Sequence, residues 1–178
     1  MITQTELRKL LDYFPETGIF RWRFRKNARP QWNGRYAGTK AGCQIAGGYI
    51  KIVIDNQAYY AHRLAWLYLQ GKWPEAGIDH RDGNPSNNKF DNLRPATQVE
   101  NMHNTPAQKN NTSGFKGVTW HRQRRKWAAQ AYIEGKHIHI GLFESKEDAA
   151  RAYNQAIENL HGEFARPNKL GAKDGVSL

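Results

Sequence analysis

The stretch that decides the fold is residues 79–101, which read DHRDGNPSNNKFDNLRPATQVEN. A carboxylate stands beside an imidazole at Asp79 and His80, and a turn-forming tract rich in Asn, Asp, Gly and Pro follows. A short Phe90–Leu93 segment comes next. The pattern then predicts a helix from about Pro95.

The residue types in this stretch suit the hydrolysis of a phosphodiester. The Asp79 carboxylate and the Asn101 amide oxygen are ligands that a hard divalent cation accepts while keeping positions for water and phosphate. The imidazole of His80 titrates near neutrality and can take a proton from water. A cation beside a base is the combination that phosphodiester hydrolysis needs. The alternative is a loop in which Asn and Asp side chains only bond their own backbone in Asx turns.

The order of these residues resembles the HNH endonucleases of the phage and intron homing type. The similarity covers roughly residues 48–104 and rests on His62-Arg63-Leu64, Asp79-His80-x-Asp82-Gly83-Asn84, Asn87-Asn88, Asn92-Leu93-Arg94, Thr97 and Asn101. It implies a ββα-metal motif at about 76–104, with Asp79 and Asn101 as ligands of Mg²⁺ or Mn²⁺. It also implies that His80 is the general base and that Asn92 steadies the loop around it. The last position is Asn101 rather than the His of the family name, as in the homing branch.

Composition favours a polyanionic partner. The chain carries 27 Lys and Arg against 16 Asp and Glu, a formal net charge of +11, which attracts phosphates and gains from counterion release. From charge alone the alternative is a merely soluble basic protein, and with the HNH resemblance we expect double-stranded DNA as the partner. The single cysteine, Cys43, excludes an internal disulfide and a cysteine-rich zinc site. No signal pattern or membrane-length apolar run is found, so we expect a cytoplasmic protein, inside the host cell if phage-encoded.

A basic segment precedes the motif. Residues 20–40 contain no Asp or Glu, and Trp32 and Tyr36 lie among the cations Arg21, Arg23, Arg25, Lys26, Arg29, Arg35 and Lys40. We predict an arm that follows a DNA backbone, the alternative being a solvated cationic loop. The predicted DNA contacts of this half of the chain are Arg21, Arg23, Arg25, Lys26, Arg29 and Arg63.

Periodicity predicts the elements around the motif. They are a helix at 3–13, a strand at Ile19–Phe24, a hairpin of Tyr49–Ile54 with Gln57–Tyr60, and a helix at Ala61–Leu69. His62 is predicted to be a buried, hydrogen-bonded helix histidine. The polar segment Thr105–Ser113 reads as a linker, and we divide the chain into 1–108 and 109–178.

Residues 109–178 are predicted to form a separate set of secondary-structure elements. Strands are predicted at Gly114–Trp120, Trp127–Ile133 and Lys136–Phe143, followed by a helix that Ser145 caps and His161-Gly162 ends. Alternation places Trp127, Ala129, Ala131, Ile133, Ile138, Ile140 and Leu142 on the face that the helix covers. The fold class is therefore α+β, a ββα-metal unit followed by a three-stranded antiparallel sheet on one helix. The uncovered polar face could enter the major groove of DNA or simply face solvent.

This second part resembles the plant ethylene-response-factor (APETALA-type) DNA-binding domain across nearly all of 113–168. The similarity rests on Phe115-Lys116-Gly117-Val118, Lys126-Trp127-Ala128-Ala129, Ile140-Gly141-Leu142-Phe143 and 147–154. Carried over by position, the implied DNA contacts are Lys116, Trp120, Arg122, Gln130, Tyr132, His137 and His139, and Arg124 joins them from the basic turn. Metal binding by His121, His137 and His139 is the alternative use of the histidines.

Together these features predict a metal-dependent DNA endonuclease of the site-specific homing type. A single HNH copy suggests a monomer that nicks one strand. Two other functions stay open at this point. One is a non-catalytic DNA-binding regulator with a degenerate HNH fold, and the other is a nuclease directed at RNA.

Overall fold

A computed structural model describes residues 1–104, 111–133 and 136–171. The chain divides into two compact units, Met1–Asn101 and Met102–Leu178, and the expected α+β class is confirmed. The predicted division at 108/109, most of the predicted linker and the turn at Glu134-Gly135 lie outside the described residues. Among the residues described, no helix combines the length and the apolar character needed to cross a bilayer.

The first unit opens with helix α1 (Gln4–Leu10), which begins at a capping box formed by Thr3 and Glu6. The predicted helix over 3–13 is wrong at its end, because the chain becomes strand β1 at Leu11–Phe14. Leu11 and Tyr13 are both buried while their neighbours are not. This period of two fits a strand paired with β2 (Ile19–Trp22).

The predicted basic arm is folded instead of extended. Strand β2 ends at Trp22, and helix α2 (Pro30–Tyr36) begins with a proline in its first turn. The Arg25 guanidinium lies 5.0 Å from the ring centre of Trp22 and 4.3 Å from that of Trp32. The ring centres of Trp22 and Trp32 are 5.7 Å apart, so these aromatic residues pack on one another and on a cation, which gives this segment its own structure.

The middle of the unit matches the prediction closely. Strands β3 (Cys43–Gln44), β4 (Ile50–Ile54) and β5 (Gln57–Tyr60) form an antiparallel sheet in that order. Asp55 and Asn56 join β4 to β5 with positive φ values of 47° and 64°, the conformation that a two-residue hairpin turn requires. Helix α3 (Ala61–Gln70) follows directly and ends at Gly71 in the left-handed conformation.

The ββα motif itself is present. Strands β6 (Gly77–His80) and β7 (Leu93–Ala96) pair antiparallel, and helix α4 (Gln98–His103) follows. The helix predicted from about Pro95 is wrong at its start, since Pro95 lies in β7 opposite Ile78. A capping box places the true start later, because the Glu100 carboxylate accepts hydrogen bonds from the Thr97 backbone and hydroxyl at 2.7 and 2.8 Å.

One hydrophobic core holds these elements together. It draws on α1, β1, β2, β4, α3 and the β6–β7 hairpin, and its members include Leu7, Leu11, Phe20, Ile52, Leu64, Ile78 and Leu93. Since Ile78 and Leu93 belong to this core, the hairpin that carries Asp79 and His80 is anchored by its apolar side chains.

The second unit is a sheet covered by one helix. Strands β8 (Val118–His121), β9 (Lys126–Ile133) and β10 (Lys136–Phe143) lie in the order β10-β9-β8, all antiparallel. Helix α5 (Lys146–His161) begins after Ser145, whose hydroxyl accepts the Asp148 N–H at 3.0 Å. The first strand starts four residues later than predicted, because the Ser113 hydroxyl lies 2.8 Å from the Val118 carbonyl and holds the preceding residues in a turn.

A bulge in β10 changes which side chains reach the core. The register shifts between His139 and Gly141, so Leu142 pairs with Ala128 on the far side of the sheet from Val118 and Ala129. Phe143 packs against the core in place of Leu142, so the prediction is wrong for Leu142, while Ile140 does pack against the core and Ile138 pairs with the core residue Ala131. Pure alternation cannot foresee this, since one extra residue reverses every later side chain.

The contact between Gly117 and helix α5 gives the first testable prediction. Gly117 has φ +74°, and a Cβ there would lie 2.1 Å from Cε2 of Tyr153. Gly114 has φ +80° with nothing within 4 Å of its would-be Cβ, so it is a matched control for backbone strain alone. We expect Gly114→Ala to cost about 1–2 kcal/mol of unfolding free energy and Gly117→Ala roughly 1–3 kcal/mol more from overpacking.

Urea denaturation followed through the NMR signals of α5 measures both costs. Equal destabilisation by the two substitutions would contradict the close approach of helix and turn.

Candidate functional site

The β6–β7 hairpin pairs Asp79 with Arg94. The two residues lie directly opposite each other, and Arg94 donates from Nε and Nη2 to Oδ2 of Asp79 at 2.8 and 2.7 Å. Both residues are buried, with exposed fractions of 7% and 4%. A buried carboxylate needs such a partner, so Arg94 fixes both the charge and the orientation of Asp79.

Asn101 lies on the same side of the hairpin as Asp79. A Cβ on Gly77 would stand 3.0 Å from Nδ2 of Asn101, which places this amide over the start of β6. Side chains two apart in a strand point to the same side, so the amide and the Asp79 carboxylate share that side. These oxygen donors fit a hard divalent cation. No cluster of three His, Cys, Asp or Glu side chains suited to a metal occurs in the part of the chain described.

His80 ends strand β6, opposite Leu93. It is buried, and its Nε2 lies 3.3 Å from Oδ1 of Asn88. Burial lowers the pKa of His80 below its usual value, although the Asn88 hydrogen bond and the carboxylates of Asp82 and Asp79 act in the opposite direction. The ring is therefore in the neutral form that can accept a proton.

Asn92 holds the loop between the two strands. Its Nδ2 donates to Oδ1 of Asp82 at 2.9 Å and to the Asn87 carbonyl at 2.8 Å, and its Oδ1 accepts the Asp82 N–H at 3.1 Å. Partial burial alone would raise the pKa of Asp82, but hydrogen bonds from Asn87, the Asn84 backbone and Asn92 lower it. Three bonds from one side chain are what a loop-steadying residue needs.

Asn88 and Arg94 are functional candidates to which sequence reasoning gave no role, although both lie in the quoted motif. Both residues belong to the segments that carry the family resemblance, Asn87-Asn88 and Asn92-Leu93-Arg94. The sequence does not show which polar side chains are buried, so it could not assign either residue a role. The Tyr13 hydroxyl donates to the Asn88 carbonyl at 2.7 Å. Pro15 accepts the Phe90 N–H at 3.1 Å, so the β1–β2 turn clamps the loop from outside the motif.

His62 is the second histidine at the site. It lies in the first turn of α3, and its ring centre is 5.1 Å from that of His80 and 5.4 Å from that of Tyr60. The prediction of burial is confirmed at 6% exposure, but its Nδ1 has no hydrogen-bond partner among the residues that the structure describes. Burial, with smaller contributions from His80 and Arg63, lowers the pKa of His62 to about 3.

Comparison with known proteins shows what this chain is similar to. The family profile described as HNH endonuclease matches residues 59–103, and the profile of the AP2 domain matches 113–163. Protein 3.8 of Escherichia phage T7 is 41% identical over 106 residues, which is 59% of this chain and 87% of that protein. The chain belongs to the HNH endonuclease family. An AP2 domain follows the HNH unit in the same chain.

Two further similarities cover more than half of the chain. A mimivirus protein described as an uncharacterized HNH endonuclease, from Acanthamoeba polyphaga mimivirus, is 37% identical over 111 residues. The match covers 61% of this chain and 57% of that protein. The solved structure of the HNH homing endonuclease I-HmuI is 18% identical, and the alignment covers 85% of each chain with a TM-score of 0.40.

The candidate DNA contacts of the HNH unit are partly engaged within the protein. Arg21 donates to the Gly38 carbonyl, and Arg23 donates to the Arg8 carbonyl and pairs with Asp12 at 3.5 Å. Arg63 lies against Trp73 and reaches the Pro74 carbonyl at 3.5 Å. Lys26 and Arg29 are exposed on the way into α2. Because a guanidinium carries five donors, Arg21 and Arg23 retain donors for a phosphate.

In the AP2 unit the predicted sheet-face contacts come together, with one exception. Gln130 lies opposite His139 and Tyr132 opposite His137, so these four share the face away from α5. Trp120 pairs with Trp127 and follows Val118 by two residues, which places it on the helix side of the sheet. Its ring centre lies 5.1 Å from that of Trp127, so Trp120 does not belong to the polar face.

The remaining candidates flank that face. Arg122 and Arg124 are exposed in the β8–β9 turn. Burial, with a smaller contribution from Arg166, lowers the pKa of Lys116 to about 8. The backbone of Lys116 is held on both sides by Asn168, which accepts its N–H at 2.6 Å and donates to its carbonyl at 3.0 Å. Lys116 therefore sits at a fixed place beside the sheet.

The buried Asp79–Arg94 pair predicts the effect of losing one partner. We expect Arg94→Met to cost about 3–5 kcal/mol of unfolding free energy, because it leaves an uncompensated buried carboxylate. Adding Asp79→Asn to that variant should recover a large part of the loss. Denaturation followed by α3 NMR signals measures both variants, and a double variant no more stable than Arg94→Met would contradict the pairing.

The depressed pKa of His62 predicts a pH dependence of stability. The unfolded chain binds a proton at His62 near pH 6.5 whereas the folded chain resists it to about pH 3. Stability from this group is therefore complete above about pH 6.5 and is lost as pH falls through that window, at up to about 1.4 kcal/mol per pH unit.

His62→Phe should remove this part of the slope. Urea denaturation of both proteins between about pH 6.5 and pH 4 tests it, and an unchanged slope in the variant would show that His62 is not the group responsible.

Proposed function

We propose that this chain is a metal-dependent DNA endonuclease of the site-specific homing type that cuts one strand of a duplex. The observation that carries the proposal is the neutral, buried imidazole of His80 on the hairpin that also holds Asp79. Family membership and the AP2 domain support it. His80 acts as the general base, taking a proton from the water that attacks phosphorus.

Asp79 and Asn101 are the residues that would hold a divalent cation, Mg²⁺ or Mn²⁺. When bound, such a cation polarises a phosphate oxygen and stabilises the leaving 3′ oxygen. Arg94 keeps the Asp79 carboxylate oriented while neutralising part of its charge. Asn92 keeps the loop after His80 in place through its bonds to Asp82 and Asn87.

Double-stranded DNA is the proposed partner of both units. In the HNH unit, the cations Arg21, Arg23, Arg25, Lys26, Arg29 and Arg63 supply phosphate contacts. In the AP2 unit, Gln130, Tyr132, His137 and His139 form the proposed reading face, flanked by Lys116, Arg122 and Arg124. The chain is proposed to act as a monomer, since one HNH site cuts one strand.

The role of His80 is tested by substitution. We expect His80→Ala to abolish nicking of supercoiled plasmid in Mg²⁺ or Mn²⁺, because no base remains for the attacking water, while DNA affinity in EDTA is retained. His161→Ala, a histidine at the end of α5, is the matched control and should nick normally. Equal loss of nicking and binding in a folded His80→Ala protein would count against the role.

The same assay tests the metal, the substrate and the number of strands cut. EDTA should stop nicking by the wild-type protein and Mg²⁺ or Mn²⁺ should restore it. The expected product is the open circle, so a linear product from a proven monomer would contradict single-strand cutting. Faster cleavage of RNA than of duplex DNA would favour the RNA-directed alternative.

One observation favours a second function, a non-catalytic DNA-binding regulator. The Asp79–Arg94 pair gives the carboxylate a structural partner, and a protein that only binds DNA could keep this pair for stability. Such a protein would bind a specific site tightly yet leave plasmid intact with every divalent cation tried.

A further inference from the structure

Phe24 is the most exposed large apolar side chain of the described residues after the terminal Met1, with 69% of its surface exposed. It belongs to neither hydrophobic core. Single exposed apolar residues are common on protein surfaces, so exposure alone assigns Phe24 no role. From its position and support we propose that Phe24 is a wedge that inserts between two base pairs of the duplex bound to the HNH unit. This inference rests on the proposed function in that it takes double-stranded DNA as the partner.

The surroundings of Phe24 in the chain are cationic. Residues 20–40 hold seven Lys or Arg and no Asp or Glu. The exposed cations nearest to it in the chain are Arg21, Arg23, Lys26 and Arg29. Such cations bind phosphates and fix the register of a protein on a duplex. They would lose their hydration without compensation against an apolar protein surface, so the charge around the ring favours DNA as its partner.

The backbone on both sides of Phe24 is fixed. On one side, the Arg23 N–H donates to the Leu10 carbonyl at 2.9 Å. On the other side, the Arg25 N–H donates to Oδ1 of Asn33 at 2.9 Å, and the Arg25 carbonyl accepts from Nδ2 of Asn33 at 2.8 Å. A side chain on a backbone that is already held loses little further freedom when it binds. This support distinguishes a wedge from the tip of a mobile loop.

The aromatic rings near Phe24 already have partners inside the protein. Trp22 and Trp32 pack on each other and on the Arg25 guanidinium, and Tyr36 packs on Trp32. Among the described residues, Phe24 has neither a ring nor a cation as a partner. Its ring is therefore the one in this group that is left for a partner outside the protein.

Insertion of the Phe24 ring would change the shape of the bound duplex. Apolar side chains such as Phe and Leu that enter between base steps partly unstack them and kink the duplex. Pyrimidine–purine steps unstack most easily, so we expect Phe24 to favour such a step. Because separating two base pairs also unwinds the duplex, insertion can be measured in closed circular DNA whose recognition site is unknown.

Plasmid unwinding tests the insertion. The full-length protein is bound to closed circular plasmid in EDTA, a topoisomerase that needs no metal relaxes the plasmid, and electrophoresis after removal of both proteins gives the change in linking number. We expect wild-type protein to lower the linking number and Phe24→Ala to lose most of this effect. Phe24→Leu should retain most of it, because leucine also acts as a wedge. Phe14→Ala is the matched control and should unwind as wild type does, since Phe14 is 45% exposed at the end of β1.

The salt dependence of binding separates a wedge from a phosphate contact. We expect Phe24→Ala to bind duplex DNA in EDTA roughly 5–100-fold more weakly, the range for the loss of one stacked aromatic side chain. The slope of log affinity against log salt concentration should stay unchanged, because no charge is removed. Lys26→Ala should instead reduce that slope by about one and leave the unwinding at saturation unchanged.

The outcomes separate this inference from the proposed function. Wild-type protein that binds DNA without unwinding it, or Phe24→Ala protein that unwinds as much as wild type, overturns the insertion even when plasmid is nicked normally. A reduced salt slope in Phe24→Ala also overturns it, since the ring would then only organise the cations. A wild-type protein that binds no duplex DNA defeats the proposed partner itself. The NMR signals of α3 report whether each variant is folded, and Phe24→Gln replaces Phe24→Ala should the latter not fold.

Discussion

Burial of polar groups in one short hairpin is the constraint on which the rest of the molecule depends. Asp79, His80 and Arg94 are all buried on β6 and β7, whose apolar residues Ile78 and Leu93 belong to the core. A buried polar atom without a partner costs roughly 1–3 kcal/mol, so the hairpin is stable only with its partners in place. The hydrogen-bond and ion-pair partners that these buried polar groups require therefore determine the geometry of the site.

Much of that support comes from outside the motif. Tyr13 and the turn after β1 hold the loop that carries Asn88, and helix α3 brings His62 against His80. The basic segment before the motif belongs to this framework too, because Arg23 and Arg25 are bound to neighbouring strands and rings. The HNH unit is therefore larger than the ββα core, and contacts of its cations help to hold it together.

The AP2 unit differs from the HNH unit in that its polar groups are exposed. Its helix packs small residues, Ala149 and Ala150, against the sheet, and both are fully buried. The helix therefore lies close to the sheet, and small side chains are enough to fill the space between them. The polar groups are left on the uncovered face, where Tyr132, His137 and His139 stand together. The HNH unit thus buries the polar groups of its hairpin, while the AP2 unit exposes the polar groups of its sheet.

The sequence by itself determined the elements that local signals specify. The hairpin of β4 and β5, helix α3 and helix α5 follow from turn residues, caps and periodicity, which act within a few positions of the chain. The motif also singled out Asp79, His80, Asn92 and Asn101 as candidate site residues. Tertiary structure alone decided the strand at Leu11–Phe14, the folded basic segment, Pro95 within β7 and the bulge after His139. It also decided that Arg94 binds Asp79 and that Asn88 binds His80, because pairing across 15 and 8 residues depends on which side chains are buried together, and burial is a property of the packed chain.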